Sequence, residues 1–167
     1  MSEVIDGTAQ HHHHEEKPVD IRAFERSLPM TLMRAREAVM RHFRPILAER
    51  DLTEQQWRVL RALHDAENAL SVGELADLTF LLGPSLSRML VSLGERGLIA
   101  RTSVPEDARR SEITITAMGI MLVAEIAPQS ERVYQSIDNQ FGSADFAQLH
   151  VLLERLAHLD EPSNDAL

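Results

Sequence analysis

The hydrophobic period of this chain breaks from helical to alternating at one short stretch, and the place where it breaks limits the fold most. Between residues 71 and 96 apolar residues recur at helical spacing in two short runs joined by Phe80-Leu81-Leu82-Gly83. Ser71-Val72-Gly73-Glu74 opens the first run as a capping box, in which serine and glutamate each satisfy an N–H that the helix leaves free. Gly83-Pro84-Ser85 opens the second run, with Pro84 suited to a first turn that has no use for its missing N–H. Gly97 suits the stop. The period then drops to two. Ile99–Thr102 and Glu112–Ile115 read as short strands about a polar turn, 104–110. Helices over 71–79 and 84–96 followed by a hairpin describe a winged helix-turn-helix, here spanning 51–116.

The flanks are helical. A long helix over Pro29–Arg50, with Ser27 as its N-cap, places Leu28, Leu32, Met33, Val39, Met40, Phe43, Ile46 and Leu47 on one face. Arg34, Glu37, Arg41 and Arg44 share the other face. Thr53-Glu54-Gln55-Gln56 caps a helix to about Ala66. Thr116 caps another to about Gln140, and after the break at Gly142-Ser143 a last helix runs to about His158. The expected fold class is mainly α with a small β-hairpin. The helices of 27–50 and 117–160 lie outside the winged unit. Residues 1–26 are expected to form an acidic, disordered tail, and 161–167 a flexible end.

Within the two short helices, Leu75, Leu78, Leu86, Met89, Leu90 and Leu93 can hold the pair together, with small Ala76 at the closest approach. Ser85, Ser87, Arg88 and Ser92 are left over. Short hydroxyls and a guanidinium at the start of a second helix suit the edges of bases in a major groove. Arg109 and Arg110 at the hairpin tip suit the neighbouring minor groove or its phosphates, and Asp107 is placed to hold a loop arginine in position.

A formal charge of −9 at first argues against nucleic acid, but the distribution reverses the argument. Residues 1–26 hold six acids against three bases, and 151–167 four acids against one base. Residues 84–110 hold five arginines against three acids. The basic residues are sixteen arginines and one lysine, Lys17, a bias that a GC-rich genome would also produce.

Ser85-Leu86-Ser87-Arg88, Glu95-Arg96-Gly97-Leu98-Ile99-Ala100-Arg101, Asp107-Ala108-Arg109-Arg110 and Ile113-Thr114-Ile115-Thr116 together resemble the signature of the MarR family, over about residues 27–160. Ala35-Arg36-Glu37-Ala38, Phe43-Arg44-Pro45-Ile46 and Leu52-Thr53-Glu54-Gln55-Gln56-Trp57 resemble its homoprotocatechuate degradative operon repressor subfamily. The resemblance implies a homodimer on a pseudo-palindromic DNA operator, with Ser87 and Arg88 in the major groove and Arg109 on the wing. It also implies release by a small aromatic carboxylic acid, and N- and C-terminal dimerisation helices. Ser87 stands where many members have threonine, which keeps the hydroxyl. Gly83-Pro84 stiffens the entry to the helix.

The flanking helices carry apolar stripes without enough partners in the winged unit. Phe146, Leu149, Val151, Leu152, Leu153 and Leu156 fit a buried face, as a dimer requires. Arg36 falls inside the apolar arc between Met33, Met40 and Phe43, and a buried arginine needs an anion. That anion is either an acidic side chain or the carboxylate of an effector. Arg34 is the rival, since the resemblance places it where some phenolic-acid-sensing relatives hold a carboxylate. Met30, Met33, Phe43, Trp57 and His64 are candidate walls for an aromatic ring.

Other classes find less support. No phosphate loop, activated nucleophile or paired-carboxylate motif stands out, so an enzyme is not expected. The absence of cysteine excludes disulfides and thiolate zinc sites. His42, His64, His150 and His158 are scattered, and His11–His14 read as a tail, so neither a metal site nor a cofactor is expected. A metal-responsive regulator and a winged helix used for protein contact remain as alternatives. No apolar run approaches the roughly 20 residues of a membrane span. The polar start lacks a signal-peptide core, so a cytoplasmic location without membrane contact is expected.

Overall fold

The computed structural model describes residues 23–104 and 107–159, with the side chains of 104–110 left out. Residues 1–22 of the tail expected over 1–26, including His11–His14, and the end at 161–167 lie outside the described residues. Two compact units meet in sequence at Ala35/Arg36.

In the first unit, Phe24–Arg26 form a turn of 3-10 helix before α1 (Leu28–Ala48) begins. These three residues were expected to belong to a disordered tail. The correction follows from their bonds. The Arg26 N–H reaches the Ala23 carbonyl at 2.9 Å, and the Ser27 hydroxyl donates to the Phe24 carbonyl at 2.8 Å. Ser27 therefore ties the turn behind it, where the sequence suggests a cap facing forward. Arg34 donates to the Glu25 carbonyl at 2.8 Å.

The second unit contains the rest of α1, then α2 (Glu54–Asp65), β1 (Leu70–Ser71), α3 (Val72–Thr79), α4 (Gly83–Glu95), β2 (Ile99–Val104), β3 (Asp107–Ile115), α5 (Ala117–Phe141) and α6 (Ser143–Ala157). Both capping boxes form. The Thr53 hydroxyl accepts from the Gln56 N–H at 3.1 Å while the Gln56 side chain accepts from the Thr53 N–H at 2.9 Å, and Ser71 pairs with Glu74 in the same way. Each such cap contributes about 1 kcal/mol. Thr116 caps α5 through the Gly119 N–H, and its own hydroxyl donates to the Gly97 carbonyl at 2.7 Å.

The sheet has three antiparallel strands in the order β1-β3-β2, where a two-stranded hairpin was expected. Leu70 pairs with Ile113 and Ser71 with Glu112. Two residues carry no period, so β1 is invisible to a pattern of alternation. Ser71 serves at once as strand end and helix cap. The hairpin strands also run further than the apolar alternation, because backbone pairing continues through polar Ser103 and Ser111.

Leu47, Leu60, Leu75, Leu86, Leu93, Ile113 and Ile126, from α1 to α5 and β3, are fully buried and form the core of this unit. Leu78 is exposed, contrary to its expected place between α3 and α4. Thr79 takes the buried position because its hydroxyl is satisfied by the Leu75 carbonyl one turn back, at 2.5 Å. Gly119 marks the tightest approach: a Cβ there would run into the Leu98 carbonyl oxygen and the Ile115 side chain. This lets α5 start hard against the hairpin.

Candidate nucleic-acid interface and adjoining cavity

The turn between α3 and α4 is three residues long. Phe80 closes α3 in the left-handed region, at φ 53° and ψ 38°, with its N–H on the Ala76 carbonyl. An L-residue there costs roughly 1–2 kcal/mol, and phenylalanine lacks the short polar side chain that eases it. Leu82 is the N-cap of α4 and supplies no side-chain bond, and Pro84 sits in the first turn. The start of α4 therefore keeps unpaired backbone donors and the positive end of the helix dipole.

Leu86, Leu90 and Leu93 bury one face of α4. Ser87 and Arg88 are exposed on the other, and Arg88 has no hydrogen-bond or ion-pair partner among the described residues. Ser85 is half-buried. Ser92 faces inward enough to accept a long bond, 3.4 Å, from the Gln56 amide, so its hydroxyl is engaged within the protein. Arg96, at the far end, donates to the Arg50 and Asp51 carbonyls at 2.9 and 2.7 Å. One of the five arginines in the basic middle segment is thus structural. Arg101 is exposed on β2. Asp107, Arg109 and Arg110 fall at the start of β3, beside the register shift at Ser103/Val104, and their side chains lie outside the described residues.

A cavity of about 490 Å³ opens against the same turn. Val39, Met40, Phe43, Trp57, Phe80 and Tyr134 give it apolar and aromatic walls, and Arg36, Glu54, Arg58 and Arg61 give it charge. Phe43 meets Tyr134 edge to face, with ring centroids 5.1 Å apart. The Arg61 guanidinium lies 5.8 Å from the Trp57 ring centre and bonds Asp65 at 3.2 Å. Arg58 donates to the Thr79 carbonyl at 2.7 Å.

The anion required by Arg36 is Glu54, at 2.5 Å. Glu54 also receives Arg44, which in turn forks onto Glu37. Burial pushes the Glu54 pKa up, but the bonds from Arg44 and Arg36 outweigh it and hold the carboxyl below its ordinary value. Arg36 is not the buried residue its helical position suggested, since 43% of its side chain is exposed. Of the expected ring walls, Phe43 and Trp57 line the cavity. His64 does not; it turns outward to Asp65 at 2.9 Å. Arg34, Met30 and Met33 belong to the first unit. Glu54, Arg58, Arg61, Phe80 and Tyr134 were missed from sequence. Only Trp57 and Arg61, four apart on α2, carried a signal, as a cation–aromatic pair on one helix face.

A helix-turn-helix whose second helix leaves its leading polar face free, followed directly by a two-stranded wing, defines the winged-helix DNA-binding proteins. The sequence pattern of the MarR family matches residues 50–110. The HTH-type transcriptional regulator FarR of Neisseria gonorrhoeae is 37% identical over 139 residues, covering 83% of this chain and 94% of FarR. The homoprotocatechuate degradative operon repressor of Escherichia coli is 37% identical over 133 residues, covering 80% of this chain and 89% of its own. The crystal structure of NadR in complex with 4-hydroxyphenylacetate superposes with a TM-score of 0.71 at 34% identity, over 84% of this chain and 99% of NadR. The chain belongs to the MarR family of transcriptional regulators.

Proposed function

We propose that the protein is a homodimeric repressor of an aromatic-acid catabolic operon. It binds a pseudo-palindromic operator and leaves it when a phenolic or phenylacetic acid fills the cavity. The observation that carries this reading is the cavity itself. Aromatic walls from Phe43, Trp57 and Tyr134 stand beside the guanidiniums of Arg36, Arg58 and Arg61, one turn from the recognition helix. Such walls take a ring and such cations take a carboxylate. The name of the E. coli relative and the ligand of NadR lie in the same chemical class.

In this reading Ser85, Ser87 and Arg88 meet the major groove. Ser92, already bonded to Gln56, serves less. Arg109 and Arg110 carry the wing to the next groove, with Asp107 holding the loop. Residues 51–116 are the DNA-binding unit, and 27–50 with 117–160 form the dimer. Exposed apolar surface supports the dimer: α6 buries no residue, and Val151, Leu152 and Leu153 are exposed. Leu28, Leu32 and Met33 on α1 are exposed as well. No described helix is long and apolar enough to cross a membrane, which fits a regulator acting on cytoplasmic DNA. Catalysis has no place in this reading.

The carboxylate receptor shifts from the sequence expectation. Arg36, Arg58 and Arg61 line the cavity and Arg34 is not among its lining residues, so Arg58 and Arg61 join Arg36 as receptors. A gel-shift assay on the DNA upstream of the protein's own gene tests the reading. Hydroxyphenylacetate, dihydroxyphenylacetate and hydroxycinnamate are added in turn. At least one is expected to release the DNA. Retention with all three removes the aromatic-acid reading and leaves the family intact.

A further inference from the structure

The arginines of the cavity differ in what already holds them. Arg36 bonds the Glu54 carboxylate, and Arg61 bonds the Asp65 carboxylate. Arg58 donates instead to a neutral acceptor, the Thr79 carbonyl, at 2.7 Å. An entering carboxylate displaces a neutral carbonyl more readily than it displaces another carboxylate, because charge-assisted bonds are the stronger kind. Thr79 is the buried last residue of α3. Phe80 comes next, left-handed and 90% exposed, and lines the same cavity. Leu82 then leads into α4 without a side-chain cap. One guanidinium therefore reaches from the cavity wall to the hinge of the helix-turn-helix.

We infer that Arg58 is the residue through which an effector carboxylate acts on the recognition helix, by exchanging the Thr79 carbonyl for the effector. This rests on the reading of the cavity as the effector site. While Arg58 holds Thr79, the end of α3 is fixed and Phe80 keeps a backbone conformation that its side chain disfavours. When Arg58 turns to the carboxylate, the carbonyl before Phe80 loses its donor. Phe80 then leaves the left-handed region, the 80–82 turn reorients, and α4 carries Ser87 and Arg88 out of register with the groove. Linkage makes the effect reciprocal, so operator weakens effector binding by the same factor.

Arg58→Met keeps the stem and removes the donor. Operator affinity is measured by fluorescence anisotropy with and without 4-hydroxyphenylacetate, and emission from Trp57, the only tryptophan, follows occupancy. Without the acid, Arg58→Met is expected to bind operator roughly tenfold more weakly than wild type, within the usual range of such couplings. At saturation the acid should weaken it by less than about twofold more, because the link it works through is gone. In Phe80→Gly, glycine holds the left-handed turn without help. Because the Phe80 side chain also lines the cavity, this variant is judged at saturating acid: whatever its acid-free operator affinity, the effect of the acid should shrink at least roughly fivefold.

An Arg58→Met protein that binds operator like wild type and is still released by the acid overturns the inference and leaves the effector cavity standing. If wild-type Trp57 emission never responds to the acid, the cavity reading falls. The acid-free operator affinity of Arg58→Met then still decides whether Arg58 holds the recognition helix in place. If Arg58→Met does not fold, undiminished release of Phe80→Gly by the acid overturns the inference alone.

Discussion

Arg88 and Glu54 are both charged, and their surroundings give them opposite work. Arg88 is exposed with no described partner, so removing it costs the fold little. Arg88→Ala is expected to leave the melting temperature unchanged while operator affinity drops by about 1–3 kcal/mol and base preference relaxes at one position. Competition binding with single-base operator variants reads both effects. Glu54 is committed to Arg36 and Arg44. Its folded pKa is depressed, so its stabilising contribution is present above the unfolded value near 4.5 and is lost as pH falls through the folded value. The melting temperature of the wild type should therefore fall below about pH 4.5, and Glu54→Gln should fall less over the same range. Glu37 and Asp65 are depressed in the same direction, Glu37 chiefly by Arg44 and Asp65 chiefly by His64, so the variant blunts the acid response without abolishing it.

At the scale of elements, the sharpest packing constraint is the junction of α5 with the hairpin. Gly119→Ala forces a methyl into the Leu98 carbonyl, which is backbone and cannot swing aside. Overpacking of this kind costs about 1–3 kcal/mol. Leu75→Ala, at a fully buried site, should cost about 2–5 kcal/mol, and urea denaturation measures both variants. Three of the helices, α2, α3 and α5, were legible from a chemical signal at their start: Thr53, Ser71 and Thr116 cap as their side chains require. β1 was not legible, because two residues cannot show a period. Leu78 was misread because the buried place in α3 went to Thr79, whose hydroxyl bonds its own backbone, which spacing does not reveal. The cavity was half legible. Phe43 and Trp57 advertise themselves by type, whereas Arg58 and Tyr134 arrive from α2 and α5 only once the chain is folded.

For the whole molecule, the apolar residues left in water on α6 and at the start of α1 exceed what an isolated chain would favour. Sedimentation at micromolar concentration is expected to give twice the chain mass of 18.8 kDa. The chain is acidic overall, at −9, so its attraction to DNA depends on local arginines and is sensitive to screening. Operator affinity should fall steeply with salt, and Arg109→Ala should make the slope shallower by about one phosphate contact for each protomer.

Arg96 and Arg88 stand at opposite ends of one helix and divide its labour. The far end of α4 is fastened to the Arg50 and Asp51 carbonyls, and its apolar face is sealed by Leu86, Leu90 and Leu93, while Ser87 and Arg88 are exposed and bond no side chain among the described residues. With Ser87 and Arg88 in the role proposed for them, the letters that choose an operator are separate from those that keep the protein folded. Over evolutionary time such a helix can change its address on the genome by substitutions at its leading turn, each nearly neutral for stability. An engineer can retarget it by the same route.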